Sequence, residues 1–145
     1  MTTIHEALNR QIANWSVLYI KLHHYHWYVK GSQFFTLHAK FQELYEEAAL
    51  RVDELAERLI AIGGRPVSRM KQFLETATVK EAEGNETAEQ MVDALIADYS
   101  LMIGELQDAT AIAERQGDER TADMLVDIQK GLENHVWMLK AFNGR

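Results

Sequence analysis

Cysteine is absent from the 145 residues of this chain, proline occurs once, and no long apolar run is present. Without cysteine the chain forms no disulfide and offers no thiolate to a metal ion. The scarcity of proline and the recurrence of Ala, Leu, Glu, Lys and Arg favour long helices over sheet. No apolar stretch approaches the roughly 20 residues that span a bilayer, and no signal-peptide pattern opens the chain. We therefore expect a cytoplasmic protein with no membrane partner.

Positive charge is also scarce. The chain carries 15 lysines and arginines against 22 aspartates and glutamates, which gives a formal net charge of −7. No basic tail stands at either end of the sequence. Surfaces that bind nucleic-acid phosphates or anionic lipids carry clustered lysine and arginine. Direct DNA binding near neutral pH is therefore unexpected.

Apolar residues recur every three or four positions over four long stretches, which is the spacing of amphipathic helices. We expect helices at about residues 3–30, from Ser32 as N-cap to about residue 62, at residues 87–115, and from Asp118 as N-cap to residue 142. A chain of this length with 47% hydrophobic residues can build a sizeable core, so residues 1–145 are expected to form one domain.

Local signals mark where the predicted helices begin and end. Threonine followed three positions later by Glu or Gln forms a capping box at Thr3 and at Thr87. Gly63-Gly64 and Pro66 end the second helix. The pattern then lapses over residues 67–85, apart from a short helix around residues 69–75, whose Met70, Phe73 and Leu74 are expected to pack inward. Two tight turns and one long crossover predict an all-α fold, a ferritin-like four-helix bundle whose long B–C crossover carries a short helix.

The most unusual stretch is HHYHWYVKG, residues 23–31, where three histidines alternate with aromatic residues. It is consistent with a metal site, an aromatic patch or the polar end of a buried helix. A histidine near a helix end is more often a cap or a surface group than a ligand. Only His26 continues the apolar series of the first helix, four positions after Leu22. His23 and His24 are therefore interpreted as cap or surface residues.

The second helix carries a mixed face beside its core stripe. At about 100° per residue, His38, Asp53 and Glu57 fall within one sector. The small or apolar residues of the same sector are Ala49, Ala56 and Ile60. Such a mixture suggests burial against a partner. The alternative is an ordinary acidic pair on a solvated surface, with Arg51 and Arg58 as ion-pair partners.

The chain resembles the Dps family of mini-ferritins in five segments, which are residues 26–31 (HWYVKG), Phe34-Phe35, Leu37-His38, residues 53–58 (DELAER) and Gly63-Gly64. The resemblance covers the whole chain. It implies a shell of twelve identical subunits in the bacterial cytoplasm, near the nucleoid. Such a shell acts as a ferroxidase, oxidising Fe(II) with hydrogen peroxide in preference to dioxygen, stores the ferric mineral and protects DNA from oxidative damage.

The same resemblance assigns a di-iron site between two subunits. His26 and His38 match the ligands from one subunit, Asp53 and Glu57 match those from its neighbour, and Trp27 matches an aromatic residue beside the centre. No glutamate here is followed by histidine three positions later, so the usual di-iron motif of a single bundle is absent.

Helix geometry agrees with a shared site. His38 and Asp53 stand fifteen positions apart on one helix, a separation of roughly 22 Å at about 1.5 Å per residue. If all four ligands serve one site, two chains must meet, and a two-fold axis would then produce two identical sites. Two imidazoles and two carboxylates suit iron, and Zn²⁺ could take its place.

Two further acidic groups match functional positions of the family. Asp118, Asp123 and Asp127 are spaced like its three-fold pore aspartates, although carboxylates favoured by the helix dipole would explain them equally. A second group on the far side of the second helix would border the cavity and nucleate mineral: Glu43, Glu46, Glu47 and Glu54. Glutamates on a solvated helix need no such role.

Two other functions are weighed against the ferroxidase. The first is a DNA-binding, DNA-compacting nucleoid protein with little catalytic role, which the missing basic tails disfavour. The second is a structural helical oligomer whose histidines cap helices. Under either alternative, removal of His26 and His38 would not change the rate of Fe(II) oxidation.

Overall fold

The computed structural model describes residues 1–145 and contains five helices and no strand. The helices are α1 (Ile4–Tyr28), α2 (Phe34–Ala61), α3 (Met70–Thr76), α4 (Ala88–Arg115) and α5 (Glu119–Phe142). α1 packs along α2, α4 packs along α5, and contacts of α1 with α4 join the two pairs. The predicted four-helix bundle, with a short helix in its long crossover, is confirmed.

The core follows the predicted stripes. Side chains from all four long helices are fully buried, the largest being Trp15, Tyr25, Tyr99 and Phe41. Close packing of such rings and of the surrounding leucines supplies most of the apolar burial that stabilises the bundle. None of the helices is both long and apolar enough to cross a membrane.

The helix starts confirm three of the predicted caps. Thr3 and Thr87 each form a complete capping box, and the Asp118 side chain accepts a hydrogen bond from the Thr121 amide. The prediction of Ser32 as N-cap of the second helix is wrong, because the helix is preceded by Gln33, which makes no side-chain cap bond. A turn in which the Phe34 amide bonds the Gly31 carbonyl at 3.1 Å takes that place.

The first helix ends two residues earlier than predicted. Val29 leaves the helix with extended dihedrals, φ −60° and ψ 141°, and its side chain enters the core. Gly31 then adopts φ +106°, a conformation that side-chain-bearing residues rarely take. The chain therefore reverses over very few residues, which brings the end of α1 beside the start of α2.

Two asparagines of α1 hold the crossover that follows α2. Asn9 accepts a hydrogen bond from the Val67 amide at 2.9 Å. Asn14, fully buried, accepts from the amides of Thr78 and Val79 at 2.8 and 3.1 Å. These side chains satisfy backbone donors that no regular element pairs. The crossover is thus fixed at both ends to one helix.

The short helix α3 packs less completely than its sequence predicts. Phe73 is half-buried against the core, but Met70 and Leu74 are largely exposed. The expectation that all three residues pack inward is therefore wrong. Of these three side chains, only Phe73 packs against the core.

Replacing Asn14 with Ala is expected to destabilise the protein by at least about 2 kcal/mol, because two amides lose their acceptor in a buried site. The matched control is Asn134→Ala, since Asn134 is exposed on α5. Urea unfolding at one protein concentration measures both. Equal midpoints for the two variants would contradict the role assigned to Asn14.

Candidate metal centre

The short connection between α1 and α2 brings His26 and His38 together. His26 lies in the last turn of α1 and is buried, whereas His38 lies in the second turn of α2 and is half-buried. Their rings stack with centroids 3.7 Å apart and planes 14° apart. The two residues predicted as ligands from one subunit are therefore neighbours in this chain.

Each of these rings is bonded to the backbone of the other residue. His26 Nδ1 donates to the His38 carbonyl at 2.6 Å, and His38 Nδ1 donates to the His26 carbonyl at 2.7 Å. A carbonyl only accepts, so the proton of each neutral imidazole sits on Nδ1 and the lone pair on Nε2. The His26 carbonyl belongs to the last helical turn, where carbonyls lack intrahelical donors.

Both Nε2 atoms remain available to a ligand. Neither has a hydrogen-bond partner in the chain, and neither belongs to the buried atoms that lack one, so both reach solvent. Histidines that bind metals commonly donate their other ring N–H to a carbonyl or carboxylate, which fixes the tautomer and the ring orientation. The pair thus has the tautomer and the support of metal ligands.

Aromatic rings border the pair on several sides. Phe34, one turn before His38, stacks on it at 4.9 Å and 22°. Tyr45, two turns after His38, meets the His26 ring edge to face at 5.4 Å and 85°. Trp27 follows His26 and is 64% exposed. Tyr45 is not among the predicted site residues, and its spacing of seven positions from His38 on the same helix was the available signal.

Asp53 and Glu57 lie on the exposed side of α2 and form no ion pair within the chain. The alternative that Arg51 and Arg58 neutralise them is wrong. Arg51 bonds a different glutamate, Glu54, at 3.0 Å, and Arg58 reaches across to α5. The two carboxylates, one helical turn apart, are therefore free to bind a cation or a partner.

No metal site is complete within one chain. Nowhere do three histidine or acidic side chains come together in an arrangement that could hold a metal ion. The histidine pair and the carboxylate pair are separated along α2 by roughly 22 Å, as the helical rise requires. Beside the carboxylates, Ile60 remains 61% exposed. The four-ligand site stays a prediction that needs a second chain.

Interactions within the chain explain the position of Asp118 without a role in a pore. Its Oδ1 accepts from the Thr121 amide and from Arg58 Nη2, each at 3.1 Å, and its Oδ2 accepts from the Thr121 hydroxyl at 2.5 Å. The Thr121 hydrogen bonds and the Arg58 guanidinium lower the pKa of Asp118 below its usual value. Asp123 and Asp127, by contrast, are exposed and unpaired.

Glu47 does not share the solvent-facing position of the other three glutamates. It is half-buried, and His135 of α5 bonds its Oε1 through Nε2 at 2.8 Å. Burial raises the pKa of Glu47, but the hydrogen bond from His135 and the charge of Arg51 outweigh it and lower that pKa. The prediction that Glu47 lies on the far side of the helix is wrong, because the residue borders the core stripe beside buried Ala48.

The other three glutamates are accessible. Glu43 is mostly exposed and lies 3.4 Å from the Lys40 ammonium. Glu46 is exposed and accepts from Gln42 at 3.0 Å. Glu54 is partly exposed and paired with Arg51. These contacts are ordinary surface interactions, each worth little energetically.

Comparisons with known proteins agree with the observed fold. A family model of the ferritin-like domain matches residues 5–145. The DNA protection during starvation protein 2 of Bacillus anthracis is 56% identical over 137 residues, which are 94% of this chain and 94% of that protein.

Solved structures of the same kind superpose closely. A Dps protein from Bacillus brevis does so with a TM-score of 0.95 at 51% identity, over 98% of this chain and 99% of that one. Dps from Listeria innocua soaked with 10 mM zinc has a TM-score of 0.94 at 42% identity, over 98% and 97%. The chain therefore belongs to the Dps family of ferritin-like proteins.

Proposed function

We propose that this protein is a mini-ferritin that oxidises Fe(II) and stores the ferric product inside a shell of twelve subunits. The observation that carries the proposal is the His26–His38 pair, in which both Nδ1 atoms are bonded to carbonyls and both Nε2 atoms are free. Within the chain, neither Nε2 atom makes a hydrogen bond that would stabilise the fold. A metal ion is the partner that two free Nε2 atoms at the surface suit best.

The remaining ligands come from a second copy of the chain. Asp53 and Glu57 supply carboxylate oxygens, and their lack of partners within one chain supports this role. A two-fold axis that sets the histidine pair of each subunit against the carboxylate pair of the other creates two equivalent sites. The exposed Ile60 and Ala49 beside the carboxylates give such an interface apolar area.

Iron is the substrate of the proposed reaction. Two imidazole nitrogens and two carboxylate oxygens bind Fe(II) and Fe(III) well, and Zn²⁺ can occupy the same set. Two Fe(II) ions, one hydrogen peroxide and two protons give two Fe(III) ions and two waters. Because both electrons pass together, hydroxyl radical is not released. Dioxygen is the slower alternative oxidant. Trp27, which follows His26 in the chain, lies beside the centre.

Replacing both His26 and His38 with Ala is expected to lower the rate of Fe(II) oxidation by peroxide at least about tenfold, since ligand support of this kind governs metal affinity. The matched control is the double variant His5→Ala, His24→Ala, which removes two histidines outside the pair. The rate is followed by Fe(III) absorbance after anaerobic loading. An unchanged rate in the His26 and His38 variant would show that oxidation occurs elsewhere.

Iron must reach the interior and deposit there. We assign entry to Asp123 and Asp127, whose exposed carboxylates stand one turn apart near the start of α5. Asp118 is left out of this path because its oxygens are bonded to Thr121 and Arg58. Mineral nucleation is assigned to three exposed or partly exposed glutamates of α2, which are Glu43, Glu46 and Glu54.

Replacing Asp127 with Asn is expected to slow iron uptake severalfold while leaving oxidation at the site intact, because one charge that attracts cations is lost at the entry. Asp108→Asn, an exposed aspartate of α4, serves as the control. Uptake is measured as mineralised iron per shell over time. If Asp127→Asn takes up iron at the wild-type rate, the pore lies elsewhere.

Protection of DNA follows from this chemistry without direct binding. Removal of Fe(II) and peroxide eliminates the two reactants that generate hydroxyl radical. The net charge of −7 gives no electrostatic attraction to the phosphate backbone. We therefore do not favour the DNA-compacting alternative.

A further inference from the structure

We propose that Tyr45 and His23 are positioning residues that hold the His26 ring in the orientation a metal ion requires. Neither belongs to the predicted ligands, and His23 was interpreted from the sequence as a cap or surface residue. The inference rests on the proposed function, because it concerns the support of the same histidine pair. It gives the first histidine of the HHYHW stretch a part in the site without making it a ligand.

The rings of five residues form a continuous column, which we call the ring column: Phe34, His38, His26, Tyr45 and His23. Phe34 stacks on His38, and His38 stacks on His26. Tyr45 then meets His26 edge to face, and His23 stacks on Tyr45 at 3.7 Å and 21°. Ring pairs at these separations attract one another beyond simple burial. Tyr45 and His23 therefore close the end of the column on the His26 side.

His23 is itself held in place. Its Nδ1 donates to the Tyr19 carbonyl of its own helix at 2.8 Å. The Tyr19 ring packs edge-on against His23 at 4.6 Å and against Tyr45 at 6.0 Å. Tyr45 is consequently clamped between the face of one ring and the edge of another. It cannot tilt without displacing a side chain that is bonded to the helix backbone.

The column supplies a restraint that the backbone hydrogen bonds alone do not. A single bond at Nδ1 fixes one atom of the His26 ring but permits the ring to tilt about that bond. The stacked His38 ring and the perpendicular Tyr45 ring restrict this tilt, so Nε2 keeps one direction. Metal affinity depends on such support, and loss of an outer partner typically weakens it about tenfold or more.

His24 provides an internal comparison. It is the next residue in the chain and is also half-buried, but its ring neighbours are Tyr25 and Tyr28. It touches no ring of the column. A variant of His24 therefore removes an imidazole from the same helix end without disturbing the support of His26.

The test is titration of the assembled, iron-free protein with Co²⁺ alone, with binding monitored by visible absorption. The proteins compared are wild type, Tyr45→Leu, Tyr45→Phe, His23→Leu, His23→Phe and His24→Leu. Tyr45→Leu is expected to raise the dissociation constant about tenfold, and His23→Leu to raise it to a smaller extent. Both phenylalanine variants keep a ring in the column, so they are expected to stay within about twofold of wild type. His24→Leu is expected to leave binding unchanged.

Wild-type affinity in both leucine variants would overturn the inference. A phenylalanine variant as weak as its leucine counterpart would also overturn it, since the role would then belong to the hydroxyl or imidazole and not to the ring. If Tyr45→Leu does not assemble, the comparison of His23→Leu with His23→Phe decides. The His26→Ala, His38→Ala variant distinguishes failure of the proposed function from failure of this inference. If this variant binds Co²⁺ like wild type, the proposed function fails. If it does not bind Co²⁺ while Tyr45→Leu and His23→Leu bind normally, only the inference is overturned.

Discussion

The two imidazole-to-carbonyl hydrogen bonds between His26 and His38 join the end of α1 to the start of α2, and the candidate site depends on them. They satisfy a carbonyl in the last helical turn and assign the proton of each ring to Nδ1. They also require the chain to reverse within a few residues, which Val29 and Gly31 accomplish through extended and left-handed backbone conformations. Packing of α1 against α2 then keeps the two rings stacked.

The second constraint is the length of α2. A helix of 28 residues holds its histidine end and its carboxylate pair far apart, so a single bundle cannot close a four-ligand site. The interior of the bundle is instead filled by apolar side chains and by rings such as Trp15 and Tyr99. The proposed metal ligands therefore lie on the outer surface of the α1–α2 pair, where a second copy of the chain would complete the proposed site.

Features with local causes were predictable from the sequence. Capping boxes at Thr3 and Thr87 involve residues three positions apart, and the core stripes follow from helical periodicity, so both predictions agree with the structure. Features that depend on the approach of distant segments were not. The bond from His135 to Glu47, separated by 88 positions, has no sequence signature. The same holds for the anchoring of the crossover by Asn14. For the contact of Tyr45 with His26, the only available signal was the helical spacing of Tyr45 from His38.

Intersubunit complementation measures the two-chain site most directly. Subunits carrying His26→Ala, His38→Ala are assembled in equal amounts with subunits carrying Asp53→Asn, Glu57→Gln, and Fe(II) oxidation by peroxide is compared with each parent alone. Because an intact site then needs the histidines of one variant and the carboxylates of the other, random pairing about a two-fold axis predicts recovery of about a quarter of the wild-type rate. Mixed shells no more active than either inactive parent would contradict a site shared between subunits.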